Sequence, residues 1–214
     1  MEAAQAGPAE PGGPPARAGY ARSAGSARGE TRRRELLDRV SADLAANGLA
    51  DFSLRRAARA AGTTHKVLLY YFDGPDDLLR QAVLQLRERR TAAGLVAAAG
   101  GPAARRLADR VRAIWPILAA PEQRVLDESI GLALYDPARH ADLGRESSRQ
   151  YLPALMSICP AHWPGQRKLE LAQFILAGFR GLLIELRTSG DAAGVAAGLE
   201  AFLRALDREE AAGE

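Results

Sequence analysis

The sequence predicts an all-α protein: an N-terminal three-helix unit, a linking helix and a larger helical body. Three observations predict it. Apolar residues recur at three- and four-residue spacing in one segment after another, the period that puts them on one face of an α-helix. The 21 glycines and 12 prolines gather near the N-terminus and between those segments, where they act as punctuation. The stretch from Ser53 to Phe72, SLRRAARAAGTTHKVLLYYF, reads as a helix, a glycine-centred turn and a second short helix. At 214 residues and 47% hydrophobic content the chain can bury a sizeable core in one or two domains.

The totals also exclude. No apolar run approaches the ~18 residues of a membrane span, because arginine or another polar residue interrupts each one. MEAAQAGPAEPGGPP has no basic region followed by an apolar one, so no secretory signal is expected there. The single cysteine, Cys159, rules out an internal disulfide framework and fits a reducing, cytoplasmic setting. There is no zinc-ligand pair, P-loop, G-x-S-x-G or H-E-x-x-H, so no cofactor, metal or catalytic residue is expected. His140, Asp142 and Glu146 stand at i, i+2 and i+6, which does not gather them on one helical face. Cys159 and His162 offer a nucleophile and a base, but no third partner is identifiable.

Residues 1–29 carry Ala, Gly, Pro, Ser and scattered Arg without apolar periodicity, and read as a disordered basic tail. From Thr31 a helix is expected through Leu36, Leu37, Val40 and Leu44, ended by Asn47-Gly48. Leu49 and Phe52 return the chain onto it, and Ser53 is placed to cap a second, alanine-rich helix over 54–61. Ala58, four before Gly62, is the small residue two crossing helices need, and Gly62 tolerates positive φ in the turn. Thr63 or Thr64 caps the third helix, with Leu68 inward and Tyr71 and Phe72 near it. Thr64, His65, Lys66 and Tyr70 are left on the outer, leading face. All four are hydrogen-bonding types suited to bases and phosphates. Between Arg17 and Phe72 there are eleven basic residues against five acidic ones, in a chain of net charge +3, so the N-terminal end suits a polyanion.

A fourth helix runs from Pro75 to about Thr91, within a linking segment 75–93, its terminal Arg87, Arg89 and Arg90 complementing the dipole. Gly94 and Gly100-Gly101-Pro102 mark the boundary to a body over 94–214. There, helices are expected at 103–119, 122–135 and 137–158, with Pro116 and Pro153 kinking or splitting theirs. After a loop, 159–165, come helices at 166–189 and 191–208. The first is apolar all round: Leu169, Ala172, Leu176, Phe179, Leu183 and Leu186 form one stripe, Leu171, Ile175, Gly178 and Leu182 another. Such a helix must be covered on both faces, which predicts a homodimer through the last two helices. Trp115, Tyr135, Tyr151, Met156, Trp163 and Phe174 are candidates to line an apolar pocket for an unidentified small molecule.

The run RELLDRVSADLAANGLADFSLRRAARAAGTTHKVLLYYFDGPDDLL, from Arg34 to Leu79, resembles the DNA-binding domain of tetracycline-repressor (TetR) family transcriptional regulators. The matching elements are Leu37, Leu44, Gly48, Phe52-Ser53, Ala57-Ala58, Ala61-Gly62, Leu68, Tyr70-Tyr71-Phe72 and Asp76 to Leu79. The resemblance implies a DNA-binding domain over 30–74 and an effector-binding and dimerisation domain over 94–214. It implies a dimer on a palindromic double-stranded operator, acting most simply as a repressor released by a small ligand. Arg55 stands where a family residue reaches a base edge. Two departures stand out: Pro75 replaces a phosphate-binding lysine at the start of the fourth helix, and Leu69 replaces an aromatic. Phosphate contact is therefore expected to shift to Tyr70, Tyr71, Lys66 and the first-helix arginines Arg32 and Arg33, with Arg56 and Arg59 as phosphate contacts or solvated charge. The competing expectation is a helical small-molecule-binding or enzyme-like protein whose helix-turn-helix is only structural.

Overall fold

The computed structural model describes residues 26–100 and 106–212. The expected tail, 1–29, lies outside the described residues except for 26–29, and these do not belong to a tail. They open the first helix, α1 (Ala27–Asn47), because Ser26 supplies an N-cap, its hydroxyl accepting from Gly29 N–H at 3.1 Å. There follow α2 (Leu54–Ala61), α3 (His65–Tyr71), α4 (Pro75–Ala99), α5 (Leu107–Ala119), a 3₁₀ turn (Pro121–Gln123), α6 (Arg124–Tyr135), α7 (Pro137–Ser157), α8 (Gly165–Thr188) and α9 (Ala192–Ala211). No strand occurs among the described residues.

Two apolar cores share α4. The first gathers Leu36, Leu37, Val40 and Leu44 of α1, the alanines of α2, Leu68 and Phe72, and Leu78, Leu79, Ala82 and Val83 of α4. Val125 and Leu126 of α6 and Leu143 of α7 enter the same core, so the head is seated on the body by burial of apolar surface. The second core lies among α5, α7, α8 and α9, around Leu107, Val111, Leu155, Ile175, Phe179 and Leu203.

Helix α4 is longer than its sequence implied. Gly94 does not end it but sits buried inside it, where a Cβ would lie 3.6 Å from Ile114 of α5. Arg87 and Arg90, read as charges at a helix end, are consequently mid-helix and buried. Neither Pro116 nor Pro153 splits its helix. Both rings lie on exposed faces, and the residues four before them, Arg112 and Arg149, are exposed too, so the carbonyls deprived of a donor face water.

Most of both expected stripes of α8 is covered within the chain: Leu171, Ala172, Ile175, Leu176, Phe179 and Leu183 are buried, and Leu169, Gly178, Leu182 and Leu186 are half-buried. Gly178 makes room for α9, since a Cβ there would come within 2.6 Å of the Phe202 ring. What faces outward on these helices is a third stripe, Phe174, Ala177, Gly181 and Ile184 on α8 beside Ala193, Ala197 and Ala201 on α9.

The loop between α1 and α2 is held by Arg56. Its guanidinium pairs with Asp43 at 2.7 Å and donates to the carbonyls of Ala50 at 2.5 Å and Gly48 at 2.9 Å. Arg56 is thus a structural bracket rather than a phosphate contact or solvated charge. Removing it strands a half-buried carboxylate and two carbonyls, a cost of about 2–3 kcal/mol. Urea unfolding of Arg56→Ala should show that loss, while Arg55→Ala, one residue away and exposed, should leave the midpoint where it is.

Candidate functional site

Two surfaces carry chemistry: the outer face of α2–α3 and a cavity in the body. The turn between α2 and α3 is built by local bonds. Ser53 caps α2, accepting from Arg56 N–H at 3.3 Å, and Thr64 caps α3, accepting from Val67 N–H at 3.4 Å. Gly62 takes φ 63°, ψ 41°, a left-handed conformation in which a Cβ would be strained. Thr63 N–H reaches Ala58 O at 2.9 Å, and Arg39 of α1 donates to Ala61 O at 2.9 Å, so the end of α2 has its carbonyls satisfied. Ala57, Ala58, Ala61 and Leu68 are buried beneath.

This packing sorts the residues expected to meet DNA. Arg55, Thr64, His65 and Lys66 are exposed together on the α2–α3 face, with Arg59 beside them. Arg32 is half-buried and shares a surface ion pair with Glu35 at 2.9 Å, an arrangement too weak to immobilise it. Arg33 is different: it donates to Tyr71 O at 3.3 Å and to Gln81, and lies 4.9 Å from the Phe72 ring centre, so its charge pins α3 to α1 and α4. Tyr70 and Tyr71 are half-buried and meet edge to face at 4.8 Å. The start of α4, where lysine is missing, is occupied by the body instead. Asp76 pairs with Arg139 of α7 at 2.6 Å, a bond that holds its carboxyl below the usual carboxylate range.

The cavity, about 70 Å³, lies among α4, α5, α6, α7 and α8. Most of its wall is apolar: Leu95, Ile114, Leu118, Ile130, Leu155, Leu176, Phe179 and Leu183. Its polar groups are Arg90 and Thr91 of α4, Asp127 of α6, Ser147 and Tyr151 of α7, and Arg180 of α8. Arg90 donates to the Tyr151 hydroxyl through Nε at 3.0 Å and Nη2 at 2.6 Å, and its Nη1 faces Asp127 at 3.7 Å. Asp127 also pairs with Arg187 at 3.3 Å. Burial pushes its carboxyl above the ordinary range, and the two guanidinium groups pull it partly back. Arg87, 1% exposed, donates to Ser129 at 3.1 Å, and burial lowers it to about 10, so it stays charged at neutral pH.

Of the aromatics proposed for a pocket, only Tyr151 borders this cavity. Trp115 stacks on Phe179 at 6.2 Å, Met156 packs against the body core, and Trp163 is buried under Arg167 at 4.4 Å. Phe174 faces outward against Phe202 at 5.1 Å, and Tyr135 is 91% exposed. Long-range packing decided these places, which aromatic character alone cannot. The cavity residues that went unread, Arg90, Asp127 and Arg180, did leave one signal: Arg180 is a lone charge amid the apolar run of α8, where charge implies a buried partner or ligand.

No protein-family model matches the chain, and no curated protein matches it. Solved structures do. A protein of Streptomyces coelicolor A3(2) described as a transcriptional regulator is 24% identical, with 81% of this chain and 97% of that one covered at TM-score 0.60. A Rhodococcus protein described as a TetR-family transcriptional regulator is 17% identical over 83% of this chain and 97% of its own, at TM-score 0.62. The multidrug-binding protein EbrR, solved with proflavin, is 20% identical over 81% and 98%, at TM-score 0.61. The chain therefore has the all-α fold that TetR-family regulators have.

Among the described residues no group of three His, Cys, Asp or Glu stands where a metal ion can be held. Cys159 is buried, its Sγ 3.4 Å from Leu155 O, and burial pushes its thiol up to about 11, while His162 is exposed. A thiol so protonated is a poor nucleophile. At pH 8 the folded protein should release almost no thionitrobenzoate from Ellman's reagent, and one equivalent after denaturation; rapid reaction of the native chain would contradict this placement.

Proposed function

We propose that this chain, which has the fold of TetR-family transcriptional regulators, is a ligand-responsive DNA-binding regulator, acting as a homodimer and released from its operator by a small molecule. The observation that carries the reading is a division of labour among the cations of the head. Arg33, Arg39 and Arg56 are consumed in holding backbone carbonyls. Arg55, Arg59 and Lys66, exposed on the α2–α3 face with His65 among them, have no hydrogen-bond or ion-pair partner among the described residues. Free cations gathered on one rigid, capped helix pair suit a phosphate backbone and base edges. In this reading α3 enters the major groove, Arg55 and Lys66 read bases, and Thr64, His65, Tyr70 and Arg32 help fix the register on phosphate. Tyr71 and Arg33 support α3 from behind.

The domain division follows: a reading head over 30–74, a link over 75–93 and an effector and dimer domain over 94–214, with the last boundary falling inside α4. Two heads must be presented about one turn, ~34–36 Å, apart on a palindrome. The outward stripe Phe174, Ala177, Gly181 and Ile184 with the alanines of α9 suits pairing with a second copy, because small residues let helices approach closely and two large apolar side chains stand exposed.

Release is supported by α6. Within five consecutive residues Val125 and Leu126 enter the head core, Asp127 borders the cavity, Glu128 accepts from Leu49 N–H at 2.7 Å, and Ser129 accepts from Arg87. A cavity of about 70 Å³ holds a few waters, so a larger molecule enters only by moving its walls. Two of those walls, α4 and α6, also hold the head. The complex of EbrR with proflavin makes an effector role for this fold a reasonable precedent.

The reading predicts that Arg55→Ala and Lys66→Ala each weaken binding to a selected operator by about 1–3 kcal/mol without changing the melting temperature. Raising salt should weaken binding steeply, and the slope should fall when a phosphate contact is removed. Mobility shifts identical to those of the unmodified chain would refute the assignments.

A further inference from the structure

The cavity's polar groups name the class of molecule it takes, and this inference rests on the ligand-responsive reading above. Their chemistry is one-sided. The one carboxylate in the wall, Asp127, is already shared between Arg90 and Arg187 at 3.7 and 3.3 Å. Arg180 donates only to neutral hydroxyls, Ser147 at 3.0 Å and Ser148 at 3.3 Å. No carboxylate lies within ion-pairing distance of Arg180 or Arg87 among the described residues. Arg90 is 7% exposed, yet its Nη1 has no hydrogen-bond acceptor, and neither has the buried Thr91 Oγ1. The Tyr151 oxygen accepts twice from Arg90, which leaves its proton to donate. Donors therefore converge on one end of an otherwise apolar wall, and the buried positive charge there exceeds the negative.

We propose that the ligand is an amphipathic acid, a compact hydrocarbon or aromatic body bearing one carboxylate. The body lies against Ile114, Leu118, Leu155, Leu176 and Phe179. The head accepts from Arg180, Arg90 and Tyr151, the planar guanidinium fork matching a carboxylate's two oxygens. An amine finds no carboxylate in the wall that is not already paired with arginine, and meets like charge. A neutral alcohol of the same shape gains the apolar contacts but leaves Arg180 without a counter-charge.

The test is titration calorimetry of the full-length protein against matched acids, alcohols and amines: a linear series from six to ten carbons and an arylacetic series. The best acid should bind on the order of tenfold or more tightly than its alcohol, and its amine should not bind measurably. Arg180→Met should remove most of the acid's preference over its alcohol, Arg90 and Tyr151 keeping the remainder, whereas Arg180→Lys keeps more of it. Should Arg180→Met not fold, Arg180→Gln serves: it keeps a donor to Ser147 and Ser148 while removing the charge, and it should weaken the acid several-fold and leave the alcohol unchanged. An alcohol or amine equal to its acid, no binding by any acid, or a preference undiminished in Arg180→Met overturns the proposal. These titrations need no DNA. Mobility shifts on selected operator with the best acid then examine the regulator reading separately: a chain that binds the acid but no DNA sinks that reading alone, and DNA released by amines but not acids sinks this one alone.

Discussion

A guanidinium group placed inside a protein keeps its charge and demands acceptors, and α4 buries two of them one turn apart. Arg87 is answered by Ser129 of α6, and Arg90 by Tyr151 of α7 and Asp127 of α6. These bonds tie three helices at one level. Below them, Leu78, Leu79, Ala82 and Val83 of the same helix close the head's core; above them, Gly94 and Ala98 lie against the body. The junction therefore cannot slide without stranding a buried charge, and rigid seating of the head follows from it.

The same layer forms the polar end of the cavity, which joins packing to the proposed function. A molecule that takes donors from Arg90 or alters the surroundings of Asp127 acts on α6 at the residue between Leu126, in the head's core, and Glu128, which holds Leu49 N–H. Binding shifts the head only by the difference in the ligand's affinity for the two arrangements. A polar, charge-bearing wall makes that difference large for small displacements, because hydrogen bonds to buried charges are steep functions of geometry. Apolar packing alone would yield more gradually.

Much of the head was legible in the sequence because its signals are local. Ser53, Gly62 and Thr64 act through bonds to residues within five positions, and Leu68 follows from helical period. The roles of Arg33 and Arg56 were not legible. An arginine that brackets the Gly48 and Ala50 carbonyls is indistinguishable, in sequence, from one left in water; only the folded loop brings those acceptors within reach. The full extent of α4 is hidden in the sequence for a related reason. Gly94 looks like punctuation, yet close packing of Ile114 gives a helical glycine a use. In the body, the helices were legible from their periodicity, but the pocket was not. Which aromatics face inward depends on how α4, α6, α7 and α8 meet, so Tyr135 went to solvent and Trp163 to the core. The stripes of α8 that suggested a second copy lie largely against α5, α7 and α9, and the face from Phe174 to Ile184 is the one turned outward.

The proposed function requires two reading heads on one palindrome. Fragments selected from genomic DNA by the purified protein at about 150 mM salt, then footprinted and analysed by sedimentation, test it most directly. The expected result is a protected inverted repeat whose half-site centres lie about one helical turn or a multiple of it apart, bound by an even number of chains. Retention no better than on random DNA, or a single chain on an asymmetric site, would contradict it.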